Sequence, residues 1–143
     1  MPDKVIFLDV DGVLNSVEDR FSWGIETDKH LEYLKDIIDK TGAAIVVSSS
    51  WRILPNMMDR LRSRLKDFGM DAYSKTPEIH THGRHRGDEI RKWLQENPGV
   101  KKFAILDDES DMREFVNTNF FKTDMEIGLT KDIADEVIKF LNS

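Results

Sequence analysis

Short apolar runs and longer amphipathic stretches take turns along the chain. Val5 to Leu8 is continuous, β-rich and apolar, and fits a buried strand. Leu31, Leu34, Ile37 and Ile38 recur at helical spacing, with Thr27 or Asp28 placed to cap the helix and Gly42 placed to end it. Ala43 to Val47 is a second buried-strand run. Pro55 opens a second helix with Met57, Met58, Leu61, Leu65 and Phe68 on one face and Gly69 behind it. Met70 to Tyr73 is a weaker strand. Asp88 to Glu96 predicts a third helix around Ile90, Trp93 and Leu94, stopped by Pro98 and Gly99. Phe103 to Leu106 and Phe120 to Thr123 are the remaining strands. Thr130 caps a last helix carrying Ile133, Val137, Ile138 and Leu141.

Strands alternating with helices predict an α/β fold, a doubly wound, Rossmann-like parallel sheet covered on both faces. Right-handed crossovers narrow the topology, and the expected strand order is 3-2-1-4-5. In such sheets ligands bind beyond the carboxyl ends of the strands. The residues just after each strand are therefore the candidates for chemistry.

Composition restricts the function classes. The 143 residues suit one domain, 1–143, and 39% hydrophobic with 34% charged residues is a globular balance. There is no cysteine, which excludes disulfides, thiolate metal sites and a cysteine nucleophile. A net charge of −6 argues against a bulk-basic nucleic-acid binder, though not against a local basic patch. No run approaches the about 18 apolar residues of a membrane span, and the start lacks a signal peptide. The protein is expected in the cytoplasm, with no membrane partner.

Acids and hydroxyls cluster where the chemistry belongs. Asp9-Val10-Asp11-Gly12-Val13-Leu14-Asn15 follows the first strand, Ser48-Ser49-Ser50-Trp51-Arg52 the second, and Asp107-Asp108-Glu109-Ser110-Asp111 the fourth. Arg84-His85-Arg86-Gly87 precedes the third helix. Carboxylates crowded on one edge raise one another's pKa unless a counter-charge joins them. Mg²⁺, which takes oxygen ligands and one or two carboxylates, is the natural counter-charge. Hydroxyls and arginines would then suit phosphoryl oxygens.

Together these strand ends resemble the haloacid dehalogenase-like (HAD) phosphatase superfamily. Strand–Asp9-x-Asp11-Gly12 looks like its first motif, Ser48/Ser49 its second, the basic residue before the third helix its third, and Asp107-Asp108-x-x-Asp111 its fourth. Asp-Gly-Val-Leu-Asn at 11–15, Ser-Ser-Ser-Trp-Arg at 48–52 and Arg-Gly-Asp-Glu-Ile at 86–90 are similar to a small cap-less group of HAD domains associated with RNA repair. They are loosely similar to the phosphatase half of polynucleotide kinase/phosphatase. The resemblance implies that Asp9 attacks phosphorus to form an aspartyl-phosphate, and that Asp11 protonates the leaving oxygen and then activates water. It implies that Ser49 or Ser48 hydrogen-bonds the phosphoryl group and that Arg86 holds its charge where the family usually has lysine. Mg²⁺ would be bound by Asp9, the Asp11 carbonyl, and Asp108 or Asp107, with Asp111 a further ligand or an orienting acid.

Both registers stay open for the serines, with Ser49 preferred because Ser48 can end the ladder, and for the acid pair. Lys75 and Lys101 are weaker substitutes for Arg86. Gly12 and Asn15 are candidates for substrate contact. Arg52 either binds phosphate or pairs with a surface acid. Trp51 reads as packing before base stacking. His80, His82 and His85 read as a solvated loop, which with Arg84 and Arg86 forms a cationic segment suited to an anionic substrate. The run from Arg60 to Lys66 reads as a solvated helix face. Phe21 and Trp23 either anchor a loop or form a small flap. The segments Asn15–Thr27 and Lys75–His85 are too short for a cap of normal size, so an open site would favour a large substrate. A Mg²⁺-dependent phosphomonoesterase acting on a phosphorylated RNA or DNA end, the 3′ phosphate first, is the expectation. A nucleotide or sugar phosphatase, a catalytically idle phosphate- or nucleic-acid-binding module, and lastly a receiver domain are the alternatives.

Overall fold

The computed structural model describes residues 2–17, 28–79 and 85–143. Five parallel strands form one sheet in the order β3 (Ala72–Lys75), β2 (Ala44–Val47), β1 (Lys4–Leu8), β4 (Lys102–Asp107), β5 (Phe120–Lys122). This is the expected HAD-like order. Thr27, the Phe21–Trp23 stretch, His80, His82 and Arg84 lie outside the described residues.

The central strand explains the layering. Successive side chains of a strand point to opposite faces, and both faces of β1 are buried. Ile6 and Leu8 join a core with Leu31, Leu34 and Ile37 of α1 (Asp28–Thr41), Leu61 and Leu65 of α2 (Pro55–Asp67), and Ala134, Val137 and Leu141 of α4 (Lys131–Leu141). Val5 and Phe7 point the other way, to Ile90 and Trp93 of α3 (Arg86–Glu96), Ile105 and Met112. Phe7 meets Trp93 and Phe103 edge-on, with ring centroids 5.4 and 5.6 Å away. Among the described residues, no helix is long and apolar enough to cross a membrane.

The starts of the third strand and the third helix each differ from the sequence expectation by two residues, for local reasons. The third strand starts at Ala72 rather than Met70, because Gly69 takes φ +76° and folds the chain back over α2. The amides of Gly69 and Met70 then close on the carbonyls of Lys66 and Leu65, and Met70 is spent on capping the helix. The third helix starts at Arg86 rather than Asp88, because its first donors are all satisfied. The Asp88 carboxylate accepts from His85 N, while Asp111 accepts from Arg86 N through Oδ2 and from Gly87 N through its carbonyl. Gly87 allows this closeness: a Cβ there would lie 2.6 Å from the Met112 backbone.

Candidate active site

Register builds the centre of the site. Leu8 pairs with Val47 on one side and Leu106 on the other, so Ser48, Asp9 and Asp107 are next in a single row. The ladder carries on through them, with Ser48 N donating to Leu8 O, Asp9 N to Leu106 O and Thr123 N to Asp107 O. All three side chains are buried. Beside the row, one oxygen each from Asp9, Asp107 and Asp108 lies within 4.8 Å of the others.

Arg86, the first residue of α3 rather than a residue before it, reaches into this group. Its Nη1 lies 3.1 Å from Asp9 Oδ1 and 2.6 Å from Asp107 Oδ2. Burial is the main force on Asp9; with the Asp107 charge it outweighs Arg86 and pushes the Asp9 carboxyl up to about 8. Burial likewise raises Asp107 against the pull of Arg86. Burial opposes the Arg86 cation, yet Asp107 and Asp9 prevail and hold its pKa above the usual guanidinium value. The trio of carboxylates thus has one guanidinium beside it, which meets two of the three. A divalent cation would close the charge balance, and an all-carboxylate donor set suits a hard ion such as Mg²⁺. Asp111 stands apart from this trio. Its Oδ2 caps Arg86 N, and its other oxygen is buried with no hydrogen-bond partner among the described residues.

The first loop supplies an exposed carboxylate. Gly12 adopts φ +82°, and a Cβ there would stand 2.5 Å from the Asp108 carboxylate, so only glycine fits. Its N–H donates to Asn15 Oδ1 and its carbonyl accepts from Thr123 Oγ1. Asn15 Nδ2 donates to Asp11 Oδ1 at 2.9 Å, and Trp51 Nε1 donates to Asp11 Oδ2 at 3.1 Å. Gly12 and Asn15, expected at the substrate, build the turn and hold Asp11.

The serines divide in function. Ser49 Oγ accepts from Trp51 N and caps the 3₁₀ turn Ser50–Ile53. Ser48 Oγ, fully buried, has no hydrogen-bond partner. Arg52 is a correction to the phosphate-binding expectation. Its Nε donates to Thr76 O, Nη1 to Ser48 O and Ser49 O, and Nη2 to Pro77 O and Glu89 Oε2. A guanidinium has five N–H donors, and none is left for a phosphoryl oxygen. Its acid partner, Glu89, is buried rather than at the surface.

Lys101 sits before β4, at the opposite end of the sheet from the acids, and Lys75 is exposed at the end of the outer strand. Arg62 pairs with Asp71, and Arg64 with Asp28 and Asp67. Sequence reasoning missed the link from Trp51 to Asp11 and the acid that neutralises Arg52. The Asp11-to-Asn15 spacing of four residues was a usable signal for the first loop; no spacing announced Glu89.

A family model described as the HAD domain in Swiss Army Knife RNA repair proteins matches residues 5–134. No curated protein and no solved structure matches the chain.

Proposed function

Since the chain belongs to the family of HAD domains found in Swiss Army Knife RNA repair proteins, we propose that residues 1–143 form one domain that removes a terminal phosphate, the 3′ phosphate first, from RNA or DNA. The observation that carries this reading is the row Ser48–Asp9–Asp107 with Arg86 bridging its two acids. A buried carboxylate beside a guanidinium and a hydroxyl without a partner is an arrangement that a phosphoryl group completes.

Asp9 forms a bond to phosphorus while the ester P–O bond breaks, and Asp11 gives its proton to the departing oxygen. Water then attacks the aspartyl-phosphate, Asp11 takes the proton, and phosphate leaves with Asp9 restored. Ser48, rather than the engaged Ser49, donates to a phosphoryl oxygen. Arg86 orients Asp9 and balances the charge of the transferring group. Asp9, Asp107 and Asp108 would hold Mg²⁺, with the Asp11 carbonyl, and the ion would neutralise phosphoryl charge. The segments 15–27 and 75–85 are too short to enclose a small substrate, so the polymer itself would shield the reaction from water.

Phosphate release tests this on 3′-phosphate RNA, 3′-phosphate DNA, a 5′-phosphate oligonucleotide and mononucleotides, each with Mg²⁺ or EDTA. Metal-dependent release from a 3′ end is expected. Release only from mononucleotides would keep the chemistry and remove the end-processing assignment; silence would favour an idle binding module. In the same assay Arg86→Ala should lower kcat by about 10²–10³-fold, as loss of a charge-stabilising donor does. Unchanged kinetics would transfer its role to another cation.

A further inference from the structure

We propose that Trp51 is a positioning residue for proton transfer, its indole N–H fixing the carboxylate of Asp11. The proposal rests on the phosphatase reading above and adds a component to it. Asp11 is the exposed member of the acidic group and leaves the sheet in a turn, where its side chain is otherwise free to rotate. Two donors hold it, one on each oxygen: Trp51 Nε1 at 3.1 Å and Asn15 Nδ2 at 2.9 Å. Asn15 belongs to the same loop and moves with it. Trp51 belongs to another element, 40 residues along the chain, and is only 5% exposed. It is therefore the contact that ties Asp11 to the core.

The platform under the indole is firm. Trp51 N is bonded to Ser49 Oγ, and the following residue, Arg52, grips the carbonyls of Ser48 and Ser49. The indole thus references Asp11 to the serine end of the same row that holds Asp9. A buried tryptophan needs a partner for its one polar atom, and here that partner is the acid–base group. The buried ring has no face to offer a nucleobase, which removes the stacking role. A carboxylate has about four acceptor positions, so two donors leave room for a leaving oxygen or a water. An acid–base group displaced by about 1 Å can lose about 10²-fold in rate.

Trp51→Phe removes the N–H and keeps the ring. The probes are p-nitrophenyl phosphate, whose leaving group needs little protonation, and a 3′-phosphate oligonucleotide, whose alkoxide needs it. With the variant, the first turnover of the oligonucleotide should slow by about 10–100-fold. The first turnover of p-nitrophenyl phosphate should hardly change, giving a burst of p-nitrophenolate before slow aspartyl-phosphate hydrolysis. Half-saturation of the first turnover should stay within about twofold on both probes, while the steady-state KM for p-nitrophenyl phosphate falls with kcat as hydrolysis of the intermediate becomes limiting. In an Asp11→Asn background, Trp51→Phe should have no further effect on residual p-nitrophenyl phosphate turnover. Equal loss on both first turnovers, an undiminished effect in the Asp11→Asn background, or wild-type kinetics would overturn the positioning role. Lack of Mg²⁺-dependent turnover by the wild-type protein on either probe would instead overturn the phosphatase reading, and this proposal with it.

Discussion

Asp9→Asn should abolish phosphate release, by about 10⁴-fold or more, while raising the melting temperature of the metal-free protein. The two effects share a cause. The carboxylate proposed to attack phosphorus is buried beside Asp107, and its pKa is raised to about 8 from an ordinary 3.8. A raised folded-state pKa means that ionisation opposes folding. The cost is absent below about pH 4, grows as pH rises towards 8, and is present in full above that. Metal-free wild-type protein should therefore lose melting temperature across pH 4–8, and the variant should lose less. The amide also keeps the shape of the carboxylate. Each kcal/mol recovered is worth about 3–5 °C in a chain of this size. Mg²⁺ should raise the wild-type melting temperature and raise that of the variant less, because one of its three carboxylates is gone. Thermal scans at pH 5 and 8, with and without Mg²⁺, check this. A large fall in melting temperature would make Asp9 a structural residue, and retained turnover would remove it as nucleophile.

Glu89→Ala should destabilise the protein by about 3–5 kcal/mol, which is the usual cost of leaving a buried charge unpaired. The side chains of Arg52 and Glu89 are 4% and 2% exposed and meet at 2.9 Å. Glu89 also accepts from Ile79 N at 3.2 Å. The pair joins α3 to the turn after Ser49 and to the chain leaving β3, so its loss should reach the site as well as the fold. A fall in melting temperature of about 9–25 °C is expected. The double variant Arg52→Met with Glu89→Leu should recover part of it, but not all. It removes the stranded charge and still deprives the carbonyls of Ser48, Ser49, Thr76 and Pro77 of their donor. A change of under about 2 °C in Glu89→Ala would show that water or rearrangement satisfies Arg52.

The features legible in the sequence were those with a short period. Val5 to Leu8, Ala43 to Val47 and Phe103 to Leu106 are apolar runs that only a sheet covered on both faces explains, and the parallel order followed. Asp9 and Asp107 were visible because each ends such a run. What escaped depends on contacts between distant segments. The meeting of Trp51 with Asp11, and of Arg52 with Glu89, is set by how the turn after β2 packs on its neighbours, and no local pattern encodes it. The starts of β3 and α3 moved by two residues because capping by Gly69 and Asp111 outweighed the apolar periodicity of those segments. Ser48 and Ser49 have the same chemistry in sequence; a single turn-capping bond separates them.

The row that carries Asp9 has a consequence for how the protein loses activity. The amides of Asp9 and Ser48 are rungs of the central ladder, not loop donors. Such protons exchange with solvent only when the core itself opens. Asp9 therefore has no local stability apart from that of the sheet, and partial unfolding at the periphery leaves it in place. Asp11, by contrast, is held through side-chain bonds on an exposed turn. Under mild denaturant Asp11 would fray before Asp9 does.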